Sequence, residues 1–387
     1  MATMPHRPAG RPLAPWVFPM RNPGKTLPLI SVIMLAVLLV AGIVAIMDSI
    51  PLSVRTVYGY ARFFTAVATR GNPYLVPEVE RTLQECPVPV ERVVKVRTAL
   101  FNISSITGDF LSVLHGLNQE DALYNARRMG LGRLRGRLPE PGKPEAVVTR
   151  PVATNLGLDL GDVMLRPDDR RNYAPLEVRV VGIHDSDEWF AYTSYEYVAQ
   201  NHFPPVDSLL AYAKDPQRQR EIDEWCEKKF KGTRAIVLSY PNLEKEADEA
   251  LATLFQILNI VIGLLVLVIT IMMGMMISIY LSQRIAEFGL LQAIGFTRSK
   301  LIRRAVLESV IMVAAGWVLG IGLAIVVLSA IKAQVLDPKA YLLDPFDRAA
   351  YLYTIPAPAA ILLTATITIW IRFKRFDPIS VIERRIL

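Results

Sequence analysis

Four long stretches without a single charged side chain dominate this sequence. They run over residues 26–47, 250–283, 309–331 and 349–371, with lengths of 22, 34, 23 and 23 residues. A bilayer's hydrocarbon core, about 30 Å thick, is crossed by a helix of about 20 apolar residues. A charge at the centre of such a helix costs roughly 2.5–3.5 kcal/mol on insertion scales. Core helices of soluble proteins seldom stay uncharged for so long, so four membrane-crossing helices are expected. Composition agrees: of 387 residues 52% are hydrophobic and 20% charged, against about 25% charged in soluble domains. A disordered chain is excluded. The first run is longer than a signal-peptide core and has no clear small-x-small site before Asp48, so it reads as a retained anchor.

The charges sort the loops. The first 25 residues carry Arg7, Arg11, Arg21 and Lys25 and no acid. The 284–304 loop sets Arg284, Arg298, Lys300, Arg303 and Arg304 against Glu287, and the C-terminal tail sets five basic residues against Asp377 and Glu383. Basic residues mark the cytoplasmic side, so both termini and the 284–304 loop are expected there. The insert 48–253 holds 26 basic and 29 acidic residues, a net of −3. The chain's net charge of +7 therefore belongs to the cytoplasmic edges, not to a nucleic-acid surface.

The expected organisation is a membrane protein with four transmembrane α-helices and a large α+β extracytoplasmic domain between helices 1 and 2. A cytoplasmic tail (1–25) precedes helix 1 (26–47), the outer insert with its stalks (48–253) and helix 2 (254–283). A cytoplasmic elbow (284–304), helix 3 (305–331), a short outer loop (332–348), helix 4 (349–371) and a cytoplasmic tail (372–387) follow. Within the insert, apolar alternation predicts strands over Val90–Ser104, Ala146–Thr149, Glu177–His184 and Ala235–Tyr240. Helical spacing covers Pro77–Glu85 and Gln217–Lys229, and turn signals include Pro204–Pro205. The units 74–105 and 215–240 can form one lobe and 106–200 a second.

Both ends of the insert have helical apolar spacing: Val57, Ala61, Phe64 and Ala68 at the start, Leu243, Ala247, Ala250, Leu254 and Leu258 at the end. At 1.5 Å per residue the 34-residue run reaches about 50 Å, beyond the bilayer core, so paired helical stalks are expected outside the membrane. They can transmit motion or serve as a plain mount. Both cysteines, Cys86 and Cys226, fall in the lobe built from the two end units, where a disulfide is chemically permitted. Two cysteines and four histidines give no metal-ligand cluster. Gly24-Lys25-Thr26 copies the tail of a P-loop, but Pro19 stands where the first glycine belongs and a membrane helix follows. No ATP site is expected in this chain.

The richest motif is Arg284-Ile-Ala-Glu287-Phe288-Gly289-Leu290-Leu-Gln292-Ala293-Ile-Gly295-Phe296-Thr297-Arg298, followed by Glu308 at the head of the next apolar run. A short helix over 284–294 would stop at Gly295, and a second would start with Thr297 or Ser299 as its cap. Glu308 is an ionisable group at a membrane boundary, a coupling candidate by default or only a snorkelling side chain. Gly316-x-x-x-Gly320 allows close helix packing or dimerisation.

This run, the closing Asp377-Pro378-Ile-Ser-Val-Ile-Glu383-Arg384, and the order of one helix, a large outer domain and three helices resemble MacB/FtsX-type ABC transporter permeases. These form the mechanotransmission, type VII exporter family. The phrases Gly136–Val148 and Leu156–Asp162 are similar to the family's periplasmic domains. Gln292 stands where the family usually has a basic residue, and Phe296 where it has a small one. The resemblance implies a permease homodimer in the inner or plasma membrane with two copies of a separate ATPase, which supplies ATP and Mg, while this chain carries no cofactor. It places the docking surface on Arg284, Glu287, Phe288, Gly289, Leu290, Ala293, Gly295, Thr297 and Arg298. It implies export of a hydrophobic or amphipathic substrate, such as a drug, peptide, lipid or lipoprotein, through an adaptor protein in some members. The alternative is an FtsX-like regulator of a cell-wall hydrolase. No catalytic motif supports an enzyme in the insert.

Overall fold

A computed structural model describes residues 15–105, 108–202 and 206–374. Arg7, Arg11, the Pro204–Pro205 turn and the Asp377–Arg384 motif lie outside the described residues. The chain divides into two compact units. One comprises residues up to 48, 254–330 and from 344 onward; the other comprises 49–253 and 331–343.

Helices α1 (Val17–Arg21) and α2 (Pro23–Val57) open the chain. The outer domain follows with β1 (Thr65–Ala68), α3 (Leu75–Gln84), β2 (Val90–Ser105), β3 (Gly108–Leu117), α4 (Gln119–Arg128), β4 (Leu134–Gly136) and β5 (Glu145–Thr149). It continues with α5 (Arg150–Leu156), β6 (Val163–Leu165), β7 (Val178–His184), β8 (Ala191–Ser194), α6 (Tyr195–Asn201), β9 (Ser208–Ala213), α7 (Gln219–Lys229) and β10 (Ile236–Leu238). Then come α8 (Tyr240–Gln283), α9 (Ile285–Ala293), α10 (Arg298–Ile331), α11 (Arg348–Leu352) and α12 (Pro356–Lys374).

The strands form one mixed sheet in the order β10-β1-β9-β2-β3-β8-β5-β7-β4, with β6 beside β7. The sixteen-residue β2 joins two lobes: its first half, Val90–Val96, pairs β9, and its second half, Arg97–Ser105, pairs β3. Below the β9 lobe α3 and α7 bury Val79, Leu83, Ile222 and Phe230 against Val67 and Leu209. The two end units expected to pair do share this core. The β3 lobe closes over Phe101, Leu114, Val148, Val178 and Tyr197. The expected strands and helices appear with small shifts at their ends.

Three features differ from the sequence reading. First, the initial stalk does not continue as helix through Ala68. Helix α2 ends at Val57, a 3₁₀ turn covers Gly59–Arg62, and Thr65–Ala68 is β1. The apolar spacing there reflects burial in a core, since Val57, Ala61 and Phe64 are all buried. Second, Cys86 and Cys226 are free thiols. They share the apolar cluster of α3 and α7, but a common lobe does not supply the geometry a disulfide needs. Burial pushes both thiols up, which keeps them protonated. Third, the uncharged run 349–371 is broken between α11 and α12. Pro356 opens α12, and the residue before a proline avoids helical backbone.

Among the described residues four helical segments are long and apolar enough to cross a membrane: Pro23–Val57, Tyr240–Gln283, Arg298–Lys339 and Arg348–Lys374. Their core joins Leu29, Ile33 and Val37 of α2 to Met312 and Val313 of α10 and Ile361 and Ala365 of α12. Gly316 and Gly320 belong to this packing. A β-carbon at Gly316 would meet Ile33 Cβ at 2.8 Å, and one at Gly320 would meet Val37 Cβ at 2.7 Å. The small-residue stripe thus seats α2 of the same chain. Met273 is buried, while Met272 and Met275 are exposed along α8 with Ile260, Leu264, Leu267 and Ile271, the apolar exterior that lipid tolerates.

Residues 331–343, which take in most of the expected short outer loop 332–348, group with the outer domain. Asn155 Nδ2 donates to Lys339 O at 2.8 Å and to Tyr341 Oη at 3.3 Å, and also to Ser104 O at 3.1 Å. Ser104 N returns a hydrogen bond to Asn155 Oδ1 at 2.9 Å. One amide therefore ties β2 to the connection between α10 and α11.

Candidate functional site: the elbow and its buried ion cluster

The elbow helix α9 ends as its sequence requires. Gly295 takes φ +104°, a conformation that costs glycine little and other residues much. Gly295 N donates to Gln292 O at 3.0 Å and Phe296 N to Leu291 O at 3.1 Å, the paired bonds of a Schellman end. Helix α10 then starts at Arg298, directly after Thr297.

At the other end of α9, Arg284 gathers three helices. Its guanidinium is only 2% exposed, and the Glu308 it meets on α10 is 0% exposed. Arg284 Nη1 donates to Glu308 Oε2 and, at 2.7 Å, to Tyr280 Oη of α8. Arg284 Nε donates to Glu287 Oε2 of α9 at 2.9 Å. Arg304 Nε donates to the second Glu308 oxygen at 3.1 Å, and Tyr280 Oη–H reaches Glu308 Oε2 at 3.3 Å. The Arg284 guanidinium also lies over the Phe288 ring, 4.9 Å from its centroid. Phe288 in turn meets Phe373 of α12 edge-on at 5.2 Å.

Two arginines and two glutamates balance in formal charge. A buried ion is tolerated only when its partners and hydrogen bonds are complete, and here the planar fork of Arg284 serves three acceptors at once. Glu287 is the exposed edge of the cluster. Burial alone would raise its carboxyl, but the Arg284 hydrogen bonds and charge hold it below the usual range. The carboxylate therefore stays ionised at neutral pH.

The nine elbow residues singled out in the sequence divide by face. Arg284, Phe288 and Gly289 are buried, Glu287 is intermediate, and Leu290, Ala293, Gly295, Thr297 and Arg298 are exposed. Leu290 and the neighbouring Ile294 are 64% and 68% exposed, large apolar side chains on a short helix. Glu308 lies inside the cluster instead of snorkelling. Sequence reasoning missed Tyr280, Arg304 and Phe373. Tyr280 and Arg304 sit four residues before Arg284 and four before Glu308, a one-turn spacing that was the available signal. Phe373 carried no such signal.

Residues 259–377 match the family described as "FtsX-like permease C-terminal". No curated protein matches the chain. Among solved structures, the periplasmic region of MacB from Actinobacillus actinomycetemcomitans is similar at 12% identity, over 48% of this chain and 92% of that one, with a TM-score of 0.27. The extracellular domain of the noncanonic ABC-type transporter YknZ from Gram-positive bacteria is similar at 12% identity, over 46% and 99%, with a TM-score of 0.25. The family match takes in most of α8, the elbow with its ion cluster, α10, α11 and α12. Over this stretch, with its elbow motif and helix order, the chain is thus similar to the C-terminal domain of FtsX-like permeases.

Proposed function

We propose that this permease converts ATP hydrolysis by a separate ATPase into movement of its outer domain. Two ATPase copies would dock on the elbows of a permease homodimer, with both termini and the elbows cytoplasmic. The movement would drive a hydrophobic or amphipathic substrate away from the outer side of the membrane. The observation that carries this reading is the Arg284–Glu308 cluster. It fixes α9 to the ends of α8 and α10, so a push on the elbow is not absorbed by a soft loop. Helix α8 then runs unbroken for 44 residues, about 66 Å at 1.5 Å per residue. Its residues 240–253 belong to the outer-domain unit and 254–283 to the unit that carries the elbow.

The apolar tip of Leu290 and Ile294, one helical turn apart and both exposed, is the surface offered to the ATPase, since adjoining exposed apolar side chains mark protein interaction sites. Leu290→Asp with Ile294→Asp is expected to abolish co-purification of the ATPase while membrane insertion and the thermal transition of the permease persist. Undiminished co-purification would overturn the docking assignment. Substrate-stimulated ATPase activity of the reconstituted complex supports export. Co-purification with a cell-wall hydrolase, without such stimulation, supports the regulatory alternative.

A further inference from the structure

The outer end of α2 and the first turns of α8 are joined by the Arg55 ion pairs on one side and stand apart on the other. Between them the outer domain holds a cavity of about 250 Å³. Val54 and Val57 line it from α2, Leu243 and Ala247 from α8, and Phe110 and Tyr341 complete the wall. Protein interiors rarely leave voids much larger than a water molecule. An apolar cavity of about 150 Å³ already binds benzene. This one is larger, and α8 lines it with the small Ala247 and Ala250 beside Leu243 and Leu251.

Among the described residues Glu246 is the one charged residue in the lining. Its neighbours are already engaged: Arg55 bridges Glu244 at 2.8 Å and Asp248 at 3.4 Å, and Lys245 lies 3.8 Å from Glu249. Glu246 forms no ion pair or hydrogen bond among the described residues. Four acids against Lys245 within 244–249 leave this turn of α8 negative. The Tyr58 hydroxyl on the cavity wall is raised by burial and next by the Glu246 carboxylate, so the charge acts on the cavity itself.

We propose that this cavity binds a small hydrophobic cation, its apolar body between α2 and α8 and its ammonium against Glu246. At roughly 30 Å³ per methylene-sized group, taking the share of a liquid water, the space holds about eight such groups. An anion of equal size is rejected by the acidic turn, and a neutral molecule gains only the apolar contact. As the substrate class of the transporter this rests on the export reading above; as a binding site it does not.

The test uses the full chain in phosphatidylcholine nanodiscs, without ATPase, and three photoreactive probes with the same eight-carbon tail: a trimethylammonium, a sulfate and an alcohol. The trimethylammonium probe is expected to label 50–58 and 243–251 more strongly than the sulfate. Glu246→Gln should lower its labelling about fivefold and leave the alcohol unchanged. Ala247→Trp, which fills the cavity, should suppress all three. Equal labelling by cation and sulfate, or no response to Glu246→Gln, overturns the proposal. Glu246 is exposed, so its variant tests the site even if the tryptophan variant fails to fold. ATPase stimulation by octyltrimethylammonium in the assembled complex is a separate readout. Its absence, with binding intact, sinks the export reading and leaves the site standing.

Discussion

Arg284 and Glu308 face each other 24 residues apart in sequence, at 2% and 0% exposure, with one guanidinium arm shared between the carboxylate and Tyr280. The pair connects the first residue of the elbow to the interior of α10.

Removing one member leaves the other's buried charge with a single opposite partner, Glu287 for Arg284 and Arg304 for Glu308, at a cost of up to about 3–5 kcal/mol. Glu308→Ala and Arg284→Ala are each expected to lower the thermal midpoint of the detergent-solubilised chain markedly. The double variant Arg284→Met with Glu308→Leu should lose less than the sum of the single losses. Additive losses would show that the pair is not coupled.

The glycine seat between α2 and α10 has no spare room. Gly316→Val or Gly320→Val places carbon against Ile33 or Val37 at under 3 Å, an overpacking of about 1–3 kcal/mol. Partial rescue is expected from Ile33→Ala beside Gly316→Val and from Val37→Ala beside Gly320→Val. Absence of rescue in both thermal scans would contradict this helix contact.

Asp223 gives the outer domain a pH dependence of definite sign. Burial raises its carboxyl from 3.8 to about 7, against a hydrogen bond from Thr65 Oγ1. The folded state holds the proton more tightly, so this contribution is complete below pH 3.8 and is lost as pH rises through 7. Its span is about 4 kcal/mol. Asp223→Asn cannot titrate, so its stability relative to wild type should improve from pH 4.5 to pH 8. A constant difference would refute the assignment. His115 works oppositely: burial lowers it from 6.5 to about 4, so its contribution is present above pH 6.5 and fades as pH falls through 4. The wild-type profile is therefore flatter than that of Asp223→Asn.

Asn155 holds the 331–343 segment to β2. Asn155→Ala leaves Ser104 and Lys339 backbone groups without this partner, at about 1–3 kcal/mol. Protease cleavage within 337–343 should quicken in the variant while cleavage elsewhere in the outer domain is unchanged. Equal rates at this segment would contradict the tie.

Much of this architecture was legible because membrane spans, strands and capped helices leave local signals. The four apolar runs, the alternation in β2 and β7 and the Gly295 stop each depend on neighbouring residues. The ion cluster was half legible: Arg284, Glu287 and Glu308 stood out as charges beside apolar runs, while their convergence on Tyr280 depended on how three helices pack. The stretch from Val57 to Ala68 misled because a four-residue apolar spacing fits a helix, and only pairing with β9 and β10 makes part of it a strand. The docking of 331–343 combines apolar packing of Ala340 with hydrogen bonds from an asparagine 184 residues before Lys339, for which local sequence holds no sign.

Strand β2 has a mechanical consequence. Its backbone belongs to both halves of the outer domain, and the change of partner falls between Val96 and Arg97. At that point the two halves are joined by the covalent backbone of β2 and by the Arg97–Asp207 ion pair at 2.8 Å. A load on either half is thus felt by both, and the domain answers as a single lever arm.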